Sequence, residues 1–262
     1  MAVRTAGQGR PVLFIHGAGG DSHNWDGVVD RLKDRFTCLM VDRCGYGQSV
    51  WESDQPPSRQ EHGAHLRQVV STLDLGQPCA VGTSGGAITI LAALLAAPNL
   101  LAGAVLVEPP LRIEDPGAPS TAPAPSADLH AGLEGDIIER GTASIRRLDA
   151  AAWDSMSSTN RQRYIDSFPT MFKETSQPPF IAARDQLGAL TLPCAVVYGT
   201  ATPERLAESS RALAKTLGAG TLIEVDGAAH LMYLTHTDEV AGLIGSFVEG
   251  CPAAPAAATD PA

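Results

Sequence analysis

Gly82-Thr83-Ser84-Gly85-Gly86 sets a serine between glycines, where an apolar run (Cys79-Ala80-Val81) gives way to a helix-like stretch (Ala87 through Ala97). A strand entering such a pentapeptide and a helix leaving it hold the serine in a tight, strained turn with its hydroxyl exposed. Gly82 and Gly86 flank a turn in which a Cβ would collide with the neighbouring strand or helix. A serine hydroxyl is a weak nucleophile at neutral pH and needs an adjacent base. Among the seven histidines, His230 is the candidate base. It follows Gly227 at the exit of the strand-like run Thr221 to Val225, where a loop can reach back to Ser84. His16 belongs to an early glycine loop, His23, His62, His65 and His130 lie in helix-like or connecting segments, and His236 reads as a surface residue near a helix start. Asp226 reads as a turn or solvent-facing residue. Glycine- and serine-rich turns are common, so the pentapeptide takes its meaning from its company.

These side chains need a scaffold that brings them together. Strand-like runs lie near 12–16, 36–41, 79–82, 103–107, 194–198 and 221–225, and helix-like stretches near 25–33, 58–73, 85–97, 203–217 and 238–249. The strands are short and nearly all apolar, as in a parallel sheet covered by helices on both faces. Such alternation implies right-handed crossovers and functional loops at the strands' C-terminal ends, where Ser84 and His230 both stand. A chain of 262 residues is long enough for one domain with a large core. About eleven residues precede the first core strand, which leaves room for one short N-terminal strand. The formal charge of −10 argues against nucleic acid or an anionic membrane surface as partner. No run approaches the roughly 20 apolar residues of a bilayer span, and the N-terminus lacks a charged-then-apolar signal pattern, so a cytoplasmic setting is the default expectation. Of the five cysteines, Cys38, Cys79 and Cys194 lie in strand-like runs and read as small core hydrophobes.

Four signposts stand in order: Val12 to Ile15 running into His16-Gly17-Ala18-Gly19-Gly20; Asp42-Arg43-Cys44-Gly45-Tyr46-Gly47-Gln48-Ser49; the Ser84 pentapeptide; and Gly227-Ala228-Ala229-His230. Over roughly residues 10 to 249 the chain resembles an α/β-hydrolase. The resemblance implies an α/β-hydrolase fold, a mostly parallel central sheet with helices on both faces and a helical lid insertion. The expected core covers 1–110 and 179–249. The expected lid covers 111–178 and opens with the Pro/Ala-rich stretch Pro116 to Pro125; the structural alternative is an ordinary helical subdomain packed on the sheet. A Pro/Ala-rich, disordered tail is expected over 250–262. By the same resemblance Ser84 is the nucleophile, His230 its base, and the backbone N–H groups of Ala18 and Gly85 form the oxyanion hole. Asp42 and Arg43 read as structural, Asp42 accepting backbone hydrogen bonds and Arg43 pairing with it.

The chain departs from the family at the acid. The usual aspartate comes three residues after the glycine closing the next-to-last strand, and here Gly199 is followed by Thr200-Ala201-Thr202. Three possibilities stay open: a water-linked dyad without an acid, Glu204, or an acid from another strand end. Glu108 suits the last. It follows Val105-Leu106-Val107, beside the elbow strand, and keeps the order Ser84…Glu108…His230. Glu204 opens a helix after Pro203, where capping alone accounts for an acid.

The expected function is hydrolysis of a small ester, lactone or thioester through an acyl-enzyme on Ser84, with a small-molecule substrate and no cofactor or metal. The same residues can serve a cyclase, lyase, perhydrolase or C–C hydrolase. From a different class, a ligand-binding, receptor-like protein on this scaffold draws its support from Thr202.

Overall fold

The computed structural model describes residues 1–115 and 129–252. The seven strands of the main sheet and the helices that cover it follow the sequence pattern closely among these residues. The sheet contains β1 (Val3–Ala6), β2 (Arg10–Ile15), β3 (Phe36–Val41), β4 (Cys79–Thr83), β5 (Gly103–Val107), β8 (Cys194–Gly199) and β9 (Gly220–Val225), in the order β1-β3-β2-β4-β5-β8-β9. Only β1 runs antiparallel, pairing with β3. It is the single short N-terminal strand expected ahead of the first core strand.

The period of two along each strand sorts side chains into two cores. On one face, Val12 and Phe14 pack with Trp25, with Val28 and Leu32 of α1 (Asp26–Leu32), and with Val240, Ile244 and Val248 of α9 (Thr237–Gly250). On the other, Leu13 and Ile15 pack with Leu66 and Val69 of α2 (Arg59–Thr72), with Ile88 and Leu91 of α3 (Gly85–Ala96), and with Leu213 of α7 (Glu204–Thr216). Cys38, Cys79 and Cys194 are buried in these cores, as small hydrophobes should be.

Between β5 and β8 the chain leaves the sheet. Here β6 (Leu111–Glu114) and β7 (Phe180–Ala183) form a separate parallel pair, which the sequence pattern did not announce because each run is only four residues long. Between them lie α4 (Ile137–Ser155) and α5 (Ser158–Thr175), and after them α6 (Arg184–Gly188). The expected helical insertion is thus built on one kinked helix and one continuous one. The kink sits at Asp149 (φ −162°, ψ 93°), whose Oδ1 accepts the Ala152 N–H at 2.8 Å and restarts the helix. The Pro/Ala-rich opening, Pro116 to Pro125, lies outside the described residues.

The tail does not come loose at Gly250, which closes α9. Cys251 is buried, and Arg10 Nη1 donates to the carbonyls of Val248 and Cys251 at 2.9 and 2.8 Å. The rest of the expected tail, 253–262, lies outside the described residues. No helix among the described residues is long and apolar enough to cross a membrane.

Candidate active site

Ser84 stands between the last residue of β4 and the first of α3, at φ 51° and ψ −117°. That backbone is unfavourable for a residue with a Cβ, and packing imposes it. A Cβ on Gly86 would lie 2.2 Å from the Ile15 carbonyl oxygen, and one on Gly82 would lie 2.6 Å from the Gly86 carbonyl carbon. The helix therefore presses directly on β2 and β4 and forces the chain round the serine. The Ser84 N–H reaches across to the Val107 carbonyl at 2.8 Å, anchoring the turn to β5.

Glu108 occupies the matching position one strand along. It ends β5 with φ 45°, its N–H bonded to the Val197 carbonyl at 3.0 Å, and it is fully buried. Burying a carboxylate is costly unless it is hydrogen-bonded, and three donors converge on it. Oε1 accepts the Gly199 N–H at 2.8 Å, while Oε2 accepts the Thr202 hydroxyl at 2.7 Å and faces His230 Nδ1 at 2.5 Å. Thr202, which stands where the family's usual acid is expected, is a donor to Glu108. Glu204 is exposed and paired with Arg211, away from the histidine.

His230 follows β9 and is buried. Its loop crosses tightly over the end of β8: a Cβ on Gly199 would lie 2.1 Å from the Ala228 carbonyl oxygen, and the Ala201 N–H bonds that same oxygen at 2.9 Å. A carboxylate can only accept, so His230 Nδ1 is the donor to Glu108. Asp149, at the kink of α4, accepts the Leu231 N–H on Oδ2 at 3.2 Å. The insertion thus holds the histidine loop from above.

Ser84, His230, Ala18 and Gly85 line one cavity, narrow at about 60 Å³. The Ser84 hydroxyl has no hydrogen-bond partner among the described residues, so the two catalytic candidates share a cavity without the direct bond that proton transfer requires. Such bonds are often long before substrate arrives.

The loop carrying Ala18 is held by His16. The Arg43 N–H donates to His16 Nε2 at 3.0 Å, which leaves the proton on Nδ1 to donate to the Gly17 carbonyl at 2.7 Å. In a trans peptide the carbonyl and the following N–H point oppositely, so fixing the Gly17 oxygen turns the Ala18 N–H away from His16. Burial first, then the Arg43 charge, lowers the His16 pKa to about 3 and keeps the ring neutral.

Arg43 does not pair with Asp42. Asp42 accepts the Ser22 and Gln48 N–H groups at 2.7 and 2.9 Å, as expected, but the guanidinium of Arg43 turns to Glu174 on α5, with bonds of 2.8 and 3.1 Å. Arg59 and the Tyr46 hydroxyl bond the same carboxylate. Burial alone would raise the Glu174 pKa, yet Arg43 and Arg59 hold it well below the ordinary carboxylate range. This buried cluster was not foreseen. Its only sequence signal is an acid among the apolar residues of α5 (Tyr164, Phe168, Met171), where a solvated face had no call for one. Among the described residues no group of three or more His, Cys, Asp or Glu could hold a metal ion.

Residues 12–243 match the model of the Alpha/beta hydrolase family. The chain is 36% identical over 107 residues to an esterase of Mycobacterium tuberculosis, covering 41% of this chain and 35% of that protein. The match thus spans about a third of that relative's length. It is 29% identical over 262 residues to a pimeloyl-[acyl-carrier protein] methyl ester esterase of Stenotrophomonas maltophilia, covering 95% and 97% of the two chains. Among solved structures, an esterase from a Rhodococcus species superposes with a TM-score of 0.79 at 18% identity, over 95% of this chain and 94% of that one. Since the family match runs from the first core strand into the last helix, across the elbow and the strand ends just described, the chain belongs to the alpha/beta hydrolase family.

Proposed function

We propose that the protein is a serine hydrolase that cleaves a small ester, lactone or thioester through an acyl-enzyme on Ser84. The observation that carries this reading is the buried Glu108–His230 pair, 2.5 Å apart, whose histidine lines the cavity that Ser84 also lines. It supports turnover over a receptor role, whose main ground is the loss of an acid at Thr202. The esterase names of the two sequence relatives point the same way.

In the proposed reaction Ser84 Oγ attacks the carbonyl carbon while His230 Nε2 takes its proton. The oxyanion is received by the Ala18 and Gly85 N–H groups, at the positive end of α3. The imidazolium, stabilised by Glu108, gives its proton to the leaving oxygen or sulfur, and water repeats the sequence on the acyl-enzyme. Losing one oxyanion donor typically costs about 3–4 kcal/mol of transition-state stabilisation. The segment carrying α4 and α5 is read as the lid, a reading supported by Ile145, Leu148 and Met171, which line the cavity together with Ser84.

The test is stoichiometric labelling by a fluorophosphonate together with turnover of p-nitrophenyl esters of graded chain length. Native protein is expected to be labelled and active, and Ser84→Ala to lose both. Labelling that persists in Ser84→Ala refutes the assignment.

A further inference from the structure

The chain as a whole carries a formal charge of −10, yet its catalytic cavity has a cationic wall. Arg59 and Arg205 line it, and among the described residues Glu174 is the one acidic residue lining it with them. That single carboxylate is already shared by Arg43 and Arg59. Arg205 is therefore uncompensated. It sits half-buried in the first turn of α7, and its Nε is shielded from solvent with no hydrogen-bond partner among the described residues. The adjacent acid, Glu204, is turned outward to Arg211. A partly buried guanidinium without a counter-charge is costly to hold, and its planar fork fits a carboxylate with two parallel bonds. The wall also carries apolar side chains, among them the neighbouring Leu206, with Pro110 and Phe180.

We infer that the substrate is an ester bearing a free carboxylate on a short apolar stem, the carboxylate being held by Arg205 while the scissile carbonyl lies at Ser84. This rests on the serine-hydrolase reading and deepens it. A carboxylate is favoured over a phosphate because one unpaired guanidinium balances a monoanion, whereas a phosphate monoester carries nearly two charges at neutral pH. Arg205 is thus a specificity residue, supplied from the same loop and helix start that bring Thr202 to Glu108.

The decisive comparison is methyl hydrogen glutarate against methyl valerate, esters of equal length that differ in the terminal carboxylate. Native enzyme is expected to favour the half-ester at least tenfold in kcat/KM at low salt, with the preference shrinking at high salt. Arg205→Gln should lower that ratio at least fivefold, Arg205→Lys should keep part of it, and Arg211→Gln on the exposed face of α7 should leave it. Binding is measured separately by calorimetry on Ser84→Ala, where adding Arg205→Gln should weaken methyl hydrogen glutarate at least tenfold. Arg205-dependent binding without turnover in the native chain sinks the hydrolase reading and leaves this assignment standing. A native ratio near one, a ratio indifferent to Arg205→Gln, no binding in Ser84→Ala, or a stronger preference for a phosphate-bearing methyl ester overturns it.

Discussion

The acid of the proposed triad has moved by one strand, and hydrogen bonding explains how the site tolerates the move. Glu108 and Thr202 meet at 2.7 Å over the same histidine, so the two possible origins of the acid converge on one point in space. Glu108→Gln is expected to lower kcat more than about 100-fold, because spoiling the orienting acid of a serine triad costs up to about 10⁴. Glu204→Gln, on an exposed ion pair, should change kcat less than about twofold. The same geometry predicts a rescue: in the Glu108→Gln background, Thr202→Asp should restore at least about tenfold of the lost kcat, since the new carboxylate starts beside the vacated oxygen. Steady-state kinetics on the four proteins decides, and equal activity of Glu108→Gln and native enzyme ends the assignment. Glu108 was legible in the sequence as a carboxylate closing an apolar strand. The donor role of Thr202 was not, because it depends on where β8 lies relative to β5.

At the level of elements, the helical insertion is bound to the core by a buried charge cluster that reaches the cavity wall. Glu174 on α5 meets Arg43 from the loop after β3 and Arg59 from the start of α2. Removing one partner of a buried pair strands the others, at a cost of about 3–5 kcal/mol. Glu174→Gln is therefore expected to lower unfolding free energy by about that amount in urea titrations; a loss below about 1 kcal/mol contradicts the account. The elbow makes a second demand. Gly86→Ala places a Cβ 2.2 Å from the Ile15 carbonyl oxygen, so it should destabilise by about 3 kcal/mol or more, read in the same titrations. The glycine spacing disclosed this demand in advance, since strand, tight turn and helix are local. The Arg43–Glu174 pair, 131 positions apart, left no local trace, and Asp42 was the nearer partner on paper.

For the molecule as a whole, two deeply buried histidines weaken the fold in acid. His16 and His62 are each lowered to about 3, in both cases by burial first and by the Arg43 charge second. Neither ring nitrogen of His62 finds a hydrogen-bond partner among the described residues. Unfolded, both rings take up a proton near pH 6.5. The unfolded state thus binds more protons between about 6.5 and 3, so stability is complete above that window and falls as pH drops through it, by about 1.4 kcal/mol per pH unit for each ring. Urea midpoints should decline from about pH 6.5 downward, before carboxylates titrate, and His62→Leu should flatten the slope. A midpoint constant from pH 7 to pH 5 contradicts this.

The order of strands and helices, the serine in its elbow and the histidine at a strand exit were written in the residue pattern, because hydrophobic period and turn sterics act over a few neighbouring positions. Folding alone selected which carboxylate serves His230, turned Arg43 from Asp42 to Glu174, and left Arg205 without a counter-ion in the cavity wall. Those outcomes rest on electrostatics and hydrogen bonds between strand ends and helices brought together from distant parts of the chain, and such contacts have no period to read.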